Sequence, residues 1–222
     1  MDTFTAIEKA VARRLGGAST LERELVKPST ARQLKAVTDD RYLSLMSLRI
    51  FRAGLKHSLV DGKWPAFEQA FQGFVPARVT LMSDEDVERL MGDARLIRHW
   101  AKLRSVRDNA AAIVKLAREH GSFGAWLASW PGDRTIDLWA ELAKRFTQMG
   151  GNSGPYFLRM VGKDTFILTD DVVKALVGQG VVVKKPSGKK DLQAVQQAFN
   201  AWAEESGRPL CQVSKILALS VG

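Results

Sequence analysis

The sequence predicts an all-α fold. Apolar residues recur at helical spacing along almost the whole chain, no run of alternating apolar and polar residues reads as a paired strand, and Gly, Pro and Ser/Asp signals punctuate the helical stretches. Residues 3–15 read as an amphipathic helix ended by Gly16-Gly17. A polar stretch through Lys27-Pro28-Ser29-Thr30 then leads to another helical segment and to Asp39-Asp40-Arg41. Leu43, Met46, Leu48, Phe51 and Leu55 fall on one side of 41–60, which predicts a buried central helix stopped by Asp61-Gly62. Pro65 suits the first turn of the next helix, 73–76 a turn, and Ser83 an N-cap followed by Asp84, Glu85 and Asp86. Further helices are expected from about Arg98 to His120, from Phe123 to Trp130 with Ser122 as cap, then, separated by Pro131-Gly132-Asp133, one through Phe146, and two near 190–205 and 208–220.

A chain of 222 residues can bury a sizeable core, so the fold needs no metal or disulfide. Cys211 is the only cysteine, which rules out an intramolecular disulfide and a thiolate zinc cage; no metal or other cofactor is expected. Lysine and arginine number 33 against 24 acids, a net charge of +9. Such an excess suits a polyanionic partner, because each neutralised phosphate releases condensed counterions, although a solvated basic surface would carry the same charge. The opening MDTFTAIEKAVARRLGG has the pattern of an amphipathic helix, not of a secretion leader, and no stretch approaches the roughly twenty apolar residues of a membrane span. The expected location is the cytoplasm, on the chromosome.

The most informative segment is MGGNSGPYFLRMVGKDTFILTDDVVKAL. Gly150, Gly151 and Gly154 lie in a short interval between a helix ending near Phe146 and one opening at Pro155. Glycines permit the positive φ of a sharp turn and let backbone N–H groups approach a phosphate, and a helix N-terminus beside such a turn favours anions. From the residues alone, Met149–Pro155 is either a phosphate clamp or an ordinary helix-helix turn.

The turn, the short helix Pro155–Val161 and the following loop Phe166-Ile-Leu-Thr-Asp170-Asp171-Val-Val-Lys174 resemble the glycine hairpin and aspartate of helix-hairpin-helix DNA glycosylases. A second likeness lies upstream. Asp39-Asp40-Arg41, Phe51-Arg-Ala-Gly-Leu55, Trp64-Pro-Ala-Phe67 with Phe71 and Phe74, Asp86-Val87, Arg89-Leu90-Met91, Ile97-Arg98-His-Trp-Ala-Lys102-Leu103, Asn109-Ala110 and Phe123 are similar, in order and spacing, to type-I 3-methyladenine DNA glycosylases over roughly 39–130. The resemblance implies two helical lobes around a cleft. It divides the single domain 1–222 into an N-terminal helical extension (1–38), a glycosylase-like lobe (39–130), and a hairpin part with C-terminal helices (131–222).

The departures narrow the reading. Where that family has leucine-glutamate-glycine, its glutamate contacting the damaged base, this chain has Leu48-Arg49-Ile50; a pocket tryptophan falls on His57; and the tyrosine-histidine-aspartate run and the zinc ligands are absent. Lyase-competent superfamily members carry a lysine in the hairpin helix, and Pro155–Val161 has none, so the resemblance implies a monofunctional enzyme that uses water. Breaking an N-glycosidic bond builds positive charge on the sugar, which a carboxylate stabilises; Asp170 is the candidate, Asp171 the alternative, and an N-cap the structural reading of Asp170. Arg49, Phe51, His57 and Trp64 are candidates for the base pocket, with core packing the alternative for Phe51 and Trp64. Arg49 in a pocket would repel a cationic base and suit a neutral or electron-rich lesion. DNA contacts are expected from Gly150, Gly151, Asn152, Ser153 and Gly154 and from Arg98, Lys102, Lys163 and Lys174, with Lys184-Lys185 and Lys189-Lys190 adding nonspecific contacts. The expected partner is double-stranded DNA with a damaged base, bound by a monomer. A non-catalytic binder of distorted DNA and a helical protein-interaction module are the competing readings.

Overall fold

The computed structural model describes residues 2–221, which contain helices and no strand. In chain order the α-helices are α1 (Phe4–Arg14), α2 (Ala18–Glu24), α3 (Ala31–Ala36), α4 (Asp39–Arg52), α5 (His57–Ala70), α6 (Pro76–Val79), α7 (Asp84–Met91), α8 (Trp100–His120), α9 (Phe123–Ser129), α10 (Thr135–Arg145), α11 (Ser153–Met160), α12 (Asp170–Gly178), α13 (Lys189–Ser206) and α14 (Leu210–Leu219). Short 3-10 turns occupy Gln72–Phe74 and Gly132–Arg134. The helices fall into two units. One comprises Met1–Pro28, Pro131–Leu138 and Asp164–Gly222, the other Ser29–Trp130 and Trp139–Lys163, so each is drawn from separate stretches of the chain.

In the unit Ser29–Trp130 with Trp139–Lys163, α4 packs on α5, α8, α9 and α11, and α3 on α9. Leu43, Met46 and Phe51 of α4 are fully buried, as the helical spacing required. The expected continuous helix over 41–60 is wrong, however. The chain leaves helical geometry at Ala53 (ψ 117°), Gly54 takes φ +76°, and α5 starts afresh at His57, which leaves Leu55 on the surface. Asp61 and Gly62 do not stop a helix but sit on the exposed side of α5, and Pro65 lies inside that helix, not in its first turn. Phe51, Trp64, Phe67, Phe71 and Phe74 form one aromatic cluster, with Trp64 stacked 5.0 Å from Phe67 and 5.4 Å from Phe74.

Two backbone approaches fix this unit. Tyr42 donates its hydroxyl to the carbonyl of Leu34 (2.7 Å), which lies against Gly124 of α9. The Asp39 carboxylate accepts the Phe123 amide at the start of α9 (3.0 Å). Burial pushes the Asp39 carboxyl above its usual range, Phe123 opposes this, and the charge of Asp40 adds to it. An acid whose folded pKa is raised binds its proton more tightly when folded, so its contribution to stability falls as pH rises from the ordinary carboxylate value through the folded one. Asp39→Asn keeps the acceptor and removes the charge. It is expected to melt at or slightly above the wild type at pH 7, by less than about 1 kcal/mol after solvent screening, and the difference is expected to vanish in acid. Thermal melts at pH 7 and pH 3 check this, and a large loss at pH 7 would contradict it.

In the other unit, α1 buries Phe4, Ile7 and Val11, and its first amides, those of Phe4 and Thr5, donate to the carboxylate of Glu205 on α13. Helix α2 is an element that sequence reading missed, since only Leu21 of its seven residues is buried. Arg208 donates to Glu8 (2.7 Å) and Glu22, tying α1 and α2 to the turn before α14. Phe166 stacks on Phe199 at 4.0 Å, and the Asp164 carboxylate caps α14 by accepting the amides of Leu210 and Cys211 (3.0 and 2.8 Å).

Candidate functional site

The glycine turn follows α10. Phe146 and Met149 are buried, Gln148 and Gly151 take positive φ (67° and 57°), and the Ser153 amide donates to the Gly150 carbonyl (3.2 Å) as α11 begins. Gly150, Gly151 and Asn152 are exposed, as a phosphate contact needs. Gly154 is not. It is buried, and a Cβ there would stand 3.2 Å from the Met149 carbonyl and 3.6 Å from the Leu142 side chain, so this glycine lets α11 pack closely and is removed from the DNA contacts. The Ser153 amide is likewise engaged in closing the turn. Asn109 of α8, fully buried, fixes the approach to it: its Oδ1 accepts the Thr147 amide (2.7 Å) and its Nδ2 donates to the Thr147 carbonyl (3.1 Å). The sequence signal for this clamp is a lone Asn inside a long amphipathic helix, which by itself does not name its partner.

The last turn of α4 carries Arg49. Its guanidinium carbon lies 4.7 Å from the centre of the Tyr156 ring on α11, and its Nε is buried without a hydrogen-bond partner. Burial pushes the Arg49 pKa down; the Tyr156 hydroxyl opposes this, and the charge of Arg52 adds to it. Lys102 of α8 donates to the carbonyls of Ala53 (2.6 Å) and Phe51 (3.4 Å), so it caps α4 and is removed from the DNA contacts. Its pKa is also lowered, first by burial and then by Arg49. Lys163 is removed for the same kind of reason: it is 9 % exposed and donates to the Trp130 carbonyl. Arg98 and Lys174 are exposed.

Phe51 is fully buried in the aromatic cluster and cannot line an open pocket. Trp64 is stacked on Phe67 and Phe74, and its indole N–H donates to Ser44 (3.1 Å), which donates to Glu68 (2.7 Å); packing accounts for it too. Of the pocket candidates, Arg49 is half-buried and His57, at the start of α5, is exposed.

In the other unit, Asp170 and Asp171 open α12. Neither is the N-cap: Thr169 accepts the Val172 amide through its hydroxyl (3.3 Å). The Asp170 side chain is 88 % exposed and lies 3.9 Å from Lys185, while Asp171 lies 3.4 Å from Lys174. With the cap supplied by Thr169, the structural part left to the Asp170 carboxylate is a first-turn charge on α12 and a long, exposed contact with Lys185.

Residues 34–151 match the methyladenine glycosylase family. This chain belongs to that family. The family match runs from the end of α3 to Gly151 within the glycine turn and stops short of Asp170. DNA-3-methyladenine glycosylase 1 of Escherichia coli K12 is 34% identical over 87 residues, 39% of this chain and 46% of the relative. The chain therefore spans about half the length of the curated relatives it matches. Among solved structures, 3-methyladenine DNA glycosylase I of Staphylococcus aureus is similar with a TM-score of 0.52 at 23% identity, covering 69% of this chain and 89% of that one. The 8-oxoguanine glycosylase/lyase of Methanocaldococcus jannaschii, solved with a 15mer DNA containing 8-oxoguanine, has a TM-score of 0.52 at 12% identity and covers 96% and 95%. These likenesses place the methyladenine glycosylase family member in an all-α glycosylase fold shared across nearly its whole length. No helix of the described residues is long and apolar enough to cross a membrane.

Proposed function

We propose that this methyladenine glycosylase family member is a monofunctional base-excision enzyme that removes a damaged or modified base from double-stranded DNA. The family match over residues 34–151 carries this reading, because it takes in the helix bearing Arg49 and runs to Gly150 and Gly151 at the opening of the glycine turn. The target base leaves the stack at a cost of a few kcal/mol, least for a lesion. Gly150, Gly151 and Asn152 hold a phosphate through backbone amides, and Arg98, Lys174 and Lys184-Lys185 add charge. Asp170 supplies the carboxylate that stabilises the cationic sugar and orients water, with Asp171 as the alternative. The protein acts as a monomer in the cytoplasm, on the chromosome.

Incubation with duplexes carrying alkylated, deaminated or oxidised bases, followed by alkali, is expected to reveal abasic sites and no alkali-independent strand scission. Binding should weaken steeply with salt, log K falling with log salt by about 0.9 for each phosphate neutralised. A slope of magnitude of at least about 3 is expected, and a flat response would contradict the proposed interface. A second reading, a non-catalytic binder of distorted DNA, is favoured by Arg49 standing where the resembling family has its base-contacting glutamate. Salt-sensitive binding with no base released from any lesion would establish it.

A further inference from the structure

Arg49 has a feature that packing does not explain. Its guanidinium is half-buried over an aromatic ring, its Nε finds no acceptor, and among the described residues no carboxylate pairs with it, while Lys102 and Arg52, the latter paired with Asp61, stand nearby. Retaining an unpaired cation in a partly desolvated position costs free energy that an apolar side chain would avoid. The Nε is closed to solvent, so a ligand that brings acceptor atoms to the terminal guanidinium nitrogens is what would offset that cost. Planar guanidinium on Tyr156 is also held in orientation, which suits hydrogen bonding to the edge of a flat heterocycle.

We propose that Arg49, oriented by Tyr156, sets base specificity, and that the base accepted is an uncharged oxopurine or oxopyrimidine, not a cationic alkylated purine. This rests on the glycosylase reading and names its substrate class. In the reaction the C1′–N bond breaks and its electron pair stays on the base nitrogen. A water oxygen bonds C1′, and the proton released from that water passes to the carboxylate and then to solvent. A neutral base therefore departs as an anion that a guanidinium stabilises in the transition state, before it takes a proton from solvent. A cationic base departs neutral, and the same guanidinium only repels it when bound.

Two measurements test this. Duplexes whose target nucleotide carries a 2′-fluorine resist cleavage and report binding alone; one series carries hypoxanthine, uracil or 8-oxoguanine, the other the 7-methylguanine cation. The wild type is expected to bind at least one neutral-base duplex about tenfold or more tightly than the cationic one. Arg49→Gln should erase that preference and Arg49→Lys should retain part of it, with unchanged thermal melts excluding misfolding. Single-turnover release from the cleavable counterparts should follow the same order. Equal binding of the two series, or a preference untouched in Arg49→Gln, overturns the inference. A preference that depends on Arg49, with no release of any base, supports the inference on specificity and removes the catalytic reading on which the substrate assignment was built.

Discussion

Asp170→Asn is expected to slow base release by about two to four orders of magnitude while affinity for duplex DNA stays within a few-fold of the wild type. The substitution removes one negative charge and little else. Thr169 provides the cap of α12, so the helix keeps its start, and the ion pair with Lys185 is long and exposed and contributes little. The loss of a favourable first-turn charge costs under about 1 kcal/mol of stability, too little to unfold the protein. Asp171→Asn is the matched control, since it removes the same charge one residue later. Single-turnover release and equilibrium binding measured together check the result. Full activity in Asp170→Asn would withdraw its role; if Asp171→Asn alone were inactive, the carboxylate would be reassigned to Asp171.

Gly124→Ala is the second large effect. A methyl group at this position would lie 2.4 Å from the Leu34 carbonyl oxygen and 3.0 Å from the Tyr42 ring, and that oxygen is already held by the Tyr42 hydroxyl. Neither neighbour is the loose end of a flexible side chain, so α3 and α9 must separate. Overpacking of this kind costs roughly 1–3 kcal/mol, and the clash is severe enough to outweigh the gain of about 1 kcal/mol that alanine brings within a helix. A net loss of about 1–2 kcal/mol is expected, read as a melting temperature lower by roughly 2–8 °C. Gly62→Ala in α5 has open space around the new methyl and ordinary helical φ, and is expected to change stability in the opposite direction. Gly124→Ala melting at or above the wild type would show that the two helices can part freely.

Much of the fold was legible because helix starts and stops are local chemistry. Ser83 and Ser122 have the sequence pattern of N-caps and are caps; each accepts an amide three residues on. Local chemistry also misled. Ala53-Gly54 reads as two small residues in a helical run, yet the left-handed turn at Gly54 splits the expected helix, and Pro65 is accommodated inside α5 on an exposed side. The base pocket was less legible. Phe51 and Trp64 carry the residue types of a pocket and the surroundings of a core, and Lys102 and Lys163 carry the charge of a DNA contact while donating to backbone carbonyls.

Periodicity, capping and the order of short motifs, all properties of neighbouring residues, determined from sequence that this is a helical glycosylase relative with a tight glycine turn before α11. Tertiary structure alone decided which glycines face solvent, which lysines are consumed by helix ends, that Asn109 clamps Thr147, and that Arg49 lies on Tyr156 with an unsatisfied Nε. The reason is physical: a side chain's hydrogen-bond partners and exposure come from segments tens of residues away, and no local pattern encodes whether a charge meets water, a carbonyl or an aromatic face.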